Sequence, residues 1–194
     1  MISLIFFFAL VSADYVISQL PNNRATISTT DVCIVISSDE SIEYVIRNDG
    51  SVYKWTYFGS TECNGNNNSG SGLGSNEILT KTIPKTVAYR KTGGKSDCSD
   101  HPDHGQAVVF LDGCVKSASG SYLKYTVESG YIYNEYFSDE ECTVPLSSTD
   151  GIETKLPAGK CDVCDENTKY YCKPYNGTGL TSILMILFVL FFLF

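Results

Sequence analysis

The sequence predicts an all-β protein, either a disulfide-stabilised β-sandwich or two tandem β-hairpin lobes, with apolar signal segments at its ends. Three observations carry this reading. β-Branched and aromatic residues dominate the ordered stretches, and helical periodicity is nearly absent. Short strand-like runs alternate with turn signals at close spacing, the pattern of sandwiches and paired β-lobes. Eight cysteines (Cys33, Cys63, Cys98, Cys114, Cys142, Cys161, Cys164 and Cys172) all lie between the two apolar ends. An even count in a secreted chain implies a framework of four disulfides, with its connectivity open.

Residues 1–13, MISLIFFFALVSA, read as a secretory signal. Leu4–Val11 is apolar but well short of the ~20 residues of a membrane span. Val11-Ser12-Ala13 supplies small residues for cleavage before Asp14. Residues 14–176 form the cysteine-rich extracellular region, which holds every charged residue of the chain.

Within it, Cys33–Ile36 is an apolar run and Ser41–Arg47 alternates. Asn48-Asp49-Gly50 breaks the pattern, and Gly50 can take positive φ at low cost, so a hairpin turn is expected there. Ser51–Phe58 returns as a strand rich in Val, Tyr, Trp and Phe, and Cys63 closes it. Tyr53, Trp55 and Tyr57 alternate and therefore share one strand face. If solvent-facing, they are a candidate ligand face for a sugar or a protein. If buried, they are core.

Asn64–Asn76, NGNNNSGSGLGSN, has the composition of a flexible loop and looks like an insertion. It carries the sequon Asn67-Asn68-Ser69, so Asn67 is an expected glycosylation site.

A second copy of the pattern begins at Cys114. Tyr122–Val127 is its first strand, Ser129-Gly130 its turn, Tyr131–Phe137 its second strand, and Cys142 its close. Cysteine-to-glycine spacings are 17 and 16 positions, and glycine-to-cysteine spacings are 13 and 12. The one-residue differences call for a bulge if the copies are to share pleat register. Lys81-Thr82-Ile83-Pro84 finds a partial echo in Thr154-Lys155-Leu156-Pro157. The repeats are thus read as about 31–98 and 112–164.

Residues 177–194 form a C-terminal hydrophobic anchor signal. Ile183–Phe194 is unbroken apolar sequence, preceded by the small residues Asn176, Gly177, Thr178 and Gly179. This pattern marks replacement of the tail by a glycolipid at Asn176, with Gly177 as the alternative; a short tail left in place is the competing reading. The polar spacer is shorter than usual.

The formal charge of −8 argues against nucleic acid, which requires a Lys/Arg footprint. No catalytic constellation emerges. His101 and His104, near Asp97, Cys98, Asp100 and Asp103, read better as a polar turn than as a metal site. Cys161-Asp162-Val163-Cys164 is a CxxC, but flanking carboxylates disfavour a reactive thiolate. Asp139-Glu140-Glu141 reads as a solvated turn. No metal and no cofactor are expected.

The shared pattern Cys…Gly-x-x-Tyr…Tyr-Phe-x-x-x-x-Cys, with a signal and a hydrophobic tail, resembles small cysteine-rich surface proteins of amoeboid protists. It is loosely similar to the ponticulin-like glycolipid-anchored proteins. The resemblance implies surface exposure. It does not extend to an actin-related role, for which no residues match. The expectation is therefore a non-enzymatic protein of the cell surface, or a secreted one, acting in adhesion, recognition or coat. Its partners would be the membrane, through the C-terminal lipid or tail, and a protein or glycan outside the cell. A carbohydrate-binding module is the first alternative, and an extracellular enzyme or protease inhibitor the next.

Overall fold

The computed structural model describes residues 13–92, 97–98, 106–117, 119–147 and 154–176. Apart from Ala13, the signal (1–13) lies outside these residues, as does the whole tail (177–194). Among the described residues all regular structure is β, in three antiparallel sheets.

The first hairpin pairs β1 (Tyr15–Leu20) with β2 (Arg24–Thr29). Its turn places Asn22 and Asn23 at φ 61° and 54°, where asparagine is better tolerated than most residues. A four-stranded sheet follows: β3 (Ile34–Ser37), β4 (Glu40–Ile46), β5 (Val52–Phe58) and β6 (Asn68–Gly72), in that order. The chain then returns through β7 (Glu77–Thr80) to pair with β1.

The second half repeats this path. β8 (Thr86–Thr92) and β9 (Gln106–Leu111) pair with one another. A second four-stranded sheet comprises β10 (Val115–Lys116), β11 (Tyr122–Glu128), β12 (Tyr131–Phe137) and β13 (Lys155–Lys160). After β14 (Cys164–Asp165), β15 (Thr168–Tyr171) returns to pair with β8. Pairing of β2 with β9 joins the halves into one seven-stranded sheet, β14-β15-β8-β9-β2-β1-β7. The order is near-symmetric about the β2–β9 pair.

Alternation assigns the faces of the large sheet. Tyr15, Ile17, Ala25, Ile27, Tyr89, Ala107 and Val109 form one core, completed by Tyr175. Residues of opposite parity meet the small sheets. Val16 packs with Ile34, Ile42, Tyr44 and Val52. Ala88 and Phe110 pack with Leu123, Tyr125 and Ile132. Both small sheets therefore cover the same face of the large one, one on each half. At ~25 cal/mol per Å², side chains as buried as Ile27 and Ile132 (both 0 % exposed) each contribute roughly 1.5–3 kcal/mol.

The repeat is clear in three dimensions and larger than cysteine spacing suggests, because each half includes strands of the large sheet. Ile42 and Tyr44 stand as far beyond Cys33 as Leu123 and Tyr125 stand beyond Cys114. Cys33–Cys63 and Cys114–Cys142 are matched disulfides, and Cys63 and Cys142 share positive φ (51° and 53°). Cys98–Cys164 and Cys161–Cys172 have no counterpart in the first half; Cys98, expected to end the first repeat, follows β8 and so belongs to the second, and no described cysteine is free.

Three expectations need correction. Asn64–Asn76 is not simply a loop: Asn68–Gly72 forms β6, the counterpart of β13. The free edge of β5 offers backbone partners, and small Gly and Ser side chains fit beside its aromatic face. The echo of Lys81–Pro84 in Thr154–Pro157 is not structural, since the first lies between β7 and β8 while Pro157 sits inside β13. No bulge interrupts the β4–β5 or β11–β12 ladder. The spacing differences lie outside them. One is in the turn, where Gly50 (φ 81°) follows a tight turn closed by its own N–H to Arg47 O, 2.9 Å, whereas Ser129-Gly130 (φ 52° and 79°) is a two-residue turn. The other lies between the strand and the closing cysteine. Tyr53 thus corresponds to Tyr133, and Tyr57 to Phe137.

Candidate functional site

In β5, Val52 turns inward to Val16 and Ile42. Tyr53, Trp55 and Tyr57 therefore turn outward, away from the large sheet, and each is half-buried. The structure brings the three together on the outer face of the β3–β6 sheet.

Their surroundings come from neighbouring strands. Trp55 pairs with Gly70 on β6 and with Glu43 on β4. Its indole lies over Gly70, where a Cβ would come within 2.8 Å of the ring. A glycine gives no side chain to pack, and the aromatic neighbour covers its backbone. Tyr53 stands 6.2 Å from Trp55, ring centre to ring centre, at 36°. The Arg47 guanidinium lies 3.4 Å from the Tyr53 ring centre, a cation–π contact. The Tyr57 hydroxyl donates to Glu43 Oε2 at 3.4 Å, and burial followed by that carboxylate's charge raises its pKa.

Reading the sequence located the three aromatics but missed Arg47, Glu43 and Gly70. Arg47 and Glu43 could have been found by pairing the strands across the Gly50 turn. Gly70 could not, because its strand reads as loop.

The equivalent outer face on β10–β13 carries different chemistry. Tyr131 and Tyr133 lie 6.1 Å apart. Lys155 bonds Glu135 at 2.8 Å, pairs with Glu128, and sits 4.7 Å from the Tyr133 ring centre. Burial alone would raise the Glu135 carboxyl, but hydrogen bonds from Lys155 and Thr126 outweigh it and hold it low. The same two carboxylates raise the Lys155 ammonium.

Asn67 is exposed and immediately precedes edge strand β6, with its carbonyl accepting from Phe58 N–H at 2.9 Å. A glycan there would shield the sheet edge beside Tyr57. Asn176 is exposed and follows Tyr175, whose side chain is buried and whose N–H donates to Thr86 Oγ1 at 2.7 Å. Gly177 lies outside the described residues.

Cys161 and Cys164 bond other partners, not each other. Asp139 accepts hydrogen bonds from Thr143 and Val144 N–H, which lower its pKa, so it shapes the turn before β13. His101, His104, Asp100 and Asp103 lie outside the described residues. Among the described residues no group of three or more His, Cys, Asp and Glu could hold a metal.

No family model matches the chain, and neither a curated protein nor a solved structure matches it.

Proposed function

We propose that this is a non-enzymatic protein of the extracellular surface, acting in adhesion, recognition or coat. Its contact surface is the outer face of the β3–β6 sheet. The observation that carries the reading is the outward row Tyr53, Trp55 and Tyr57 with Arg47 against Tyr53. Trp, Tyr and Arg are the residues that dominate protein contact energies, because each joins a broad apolar body to a polar tip. Disulfide-rich β structure suits an oxidising, extracellular environment. The membrane partner would be reached through a glycolipid at Asn176, or through a retained tail. Tyr175 belongs to the core on the opposite face of the large sheet, so an anchor there would leave the aromatic row facing away from the bilayer.

Trp55 also supports a second reading, a glycan-binding face, because the indole is half-exposed and held in place on Gly70. Display of wild type, Trp55→Ala and Tyr57→Ala proteins on beads, presented to cells of the source organism, tests the contact surface. Loss of adhesion in both variants is expected. Undiminished adhesion overturns the assignment. Sugar-dependent quenching of Trp55 separates glycan from protein contact, and release of the native protein by a phosphatidylinositol-cleaving lipase tests the anchor.

A further inference from the structure

The two halves place opposite chemistry at one equivalent position. In the first half Glu77 on β7 pairs with Ser18 and turns toward the small sheet. Its carboxylate accepts the Tyr44 hydroxyl at 2.9 Å and Gly74 N–H at 2.7 Å. In the second half Arg90 takes the place of Ser18, and Tyr170 that of Glu77. Tyr125, the counterpart of Tyr44, sends its hydroxyl instead to Asn22 O at 2.7 Å. Among the described residues no carboxylate lines that position. A cavity of about 180 Å³ remains between the large sheet and β11–β13.

Arg24 and Arg90 both line that cavity, with Asn22, Tyr125, Asn134 and Tyr170. Ion pairs among the described residues join Lys155 to Glu128 and Glu135, so neither arginine has a described carboxylate partner. Arg24 Nε donates to Pro21 O at 3.3 Å and Arg90 Nη1 to the Tyr170 hydroxyl at 3.3 Å. Arg90 Nε and Asn134 Oδ1 are buried without any hydrogen-bond partner. Buried polar groups are normally satisfied, and leaving them bare is costly. One is a cationic donor and the other a neutral acceptor. A ligand that satisfies both presents an anionic acceptor and a hydroxyl donor.

We propose that this cavity binds a small hydroxylated carboxylate, of the class of a single uronic acid residue. The carboxylate goes to the guanidinium groups, which match its planar geometry. A ring hydroxyl donates to Asn134 Oδ1. The volume equals roughly six waters at ~30 Å³ each, enough for one sugar residue and too little for a chain of them. Asn22 is exposed and marks the mouth. The ligand would bring a carboxylate to the second half near the position where Glu77 holds one in the first, here paired with arginine instead of with tyrosine.

Calorimetric titration of the secreted protein at low salt, with glucuronate, glucose and sulfate as probes, tests this. Glucuronate is expected to bind at least about tenfold more tightly than glucose or sulfate, because a charge-assisted pair and the hydroxyl contact act together. Arg90→Gln and Arg24→Gln should each weaken glucuronate about tenfold or more. The hydrogen bond of Arg24 is exposed and that of Arg90 part-buried, so the Arg24 variant keeps the test open if Arg90→Gln does not fold. Lys81→Gln, which removes an exposed charge between β7 and β8 away from both the cavity and the aromatic row, should leave glucuronate binding unchanged. Absence of glucuronate binding, equal binding of glucose, or sulfate binding as tight as glucuronate each overturns the proposal.

Discussion

Gly70→Ala isolates the packing of the aromatic face. Gly70 is not at positive φ, so alanine can adopt its backbone. The added Cβ would lie 2.8, 2.9 and 3.0 Å from three carbons of the Trp55 ring. Carbon atoms rest at about 3.5–4.0 Å, so the indole must retreat by roughly 0.7 Å or more. Overpacking a rigid core costs about 1–3 kcal/mol. Here the ring is the outer end of a half-buried side chain and can swing away, which places the cost near the low end. Replacing glycine within a strand returns about 0.5–1 kcal/mol. The two contributions nearly cancel, and global stability should change by less than about 1 kcal/mol. The local change should nevertheless be plain. The chain has one tryptophan, so its fluorescence reports this position alone. A red-shifted emission and faster acrylamide quenching are expected, with urea unfolding almost unchanged. An unaltered spectrum with unaltered quenching would refute the placement of the indole on Gly70.

The matched disulfides close segments of 30 and 28 residues, so replacing either cysteine pair by alanine should cost about 3.6 kcal/mol in the chain-entropy picture; clearly unequal losses by chemical denaturation would argue that the halves are not energetically alike. Burial raises the phenols of Tyr44 and Tyr125, and that of Tyr175 to about 12. Their contribution to stability is full below about pH 10, the unfolded value, and is lost as pH rises through the folded values. Absorbance at 295 nm should show some of the 13 tyrosines ionising near pH 10 and others only as the fold is lost, whereas a single reversible step with the fold intact would contradict the burial. Glu135 has a lowered pKa, so its contribution is present above the unfolded value of about 4.3 and lost as pH falls through the folded value. Lys155→Met should move the carboxyl upward in an NMR titration, and an unmoved Glu135 would show that Lys155 does not set it.

The parts of the fold legible in the sequence are those with local chemistry. Asp49-Gly50 and Ser129-Gly130 mark the two hairpins because positive φ restricts residue choice. Alternation around Trp55 correctly separates its face from Val52. The large sheet was less legible, although Asn22-Asn23 between two short alternating runs and the apolar Ala107–Leu111 were signals of it. Its pairing of β2 with β9 joins distant segments, and no local pattern encodes that choice. Strand β6 was hidden for another reason. Gly and Ser have poor strand propensity, and here the neighbouring aromatic face makes their small size useful. The cavity arginines were equally hidden, since Arg24 and Arg90 meet only after the halves pair.

A duplicated scaffold allows one half to keep a structural solution while the other changes it. Tyr44 and Tyr125 are equivalent and both anchor a small sheet to the large one, yet they use different acceptors, Glu77 Oε1 and Asn22 O. Satisfying Tyr125 through a turn carbonyl leaves the neighbouring position free of a carboxylate. Arginine can occupy the place of Ser18 without being neutralised internally. The outer faces diverge in the opposite sense. Glu135 and Lys155 satisfy one another on the second half, while the corresponding position on the first half is Trp55. Each half thus satisfies internally the site that the other leaves open. Changes at the outer aromatic row and at the inner cavity should therefore act independently, because the row lies on the outer face of the β3–β6 sheet and the cavity beneath the other small sheet, β10–β13.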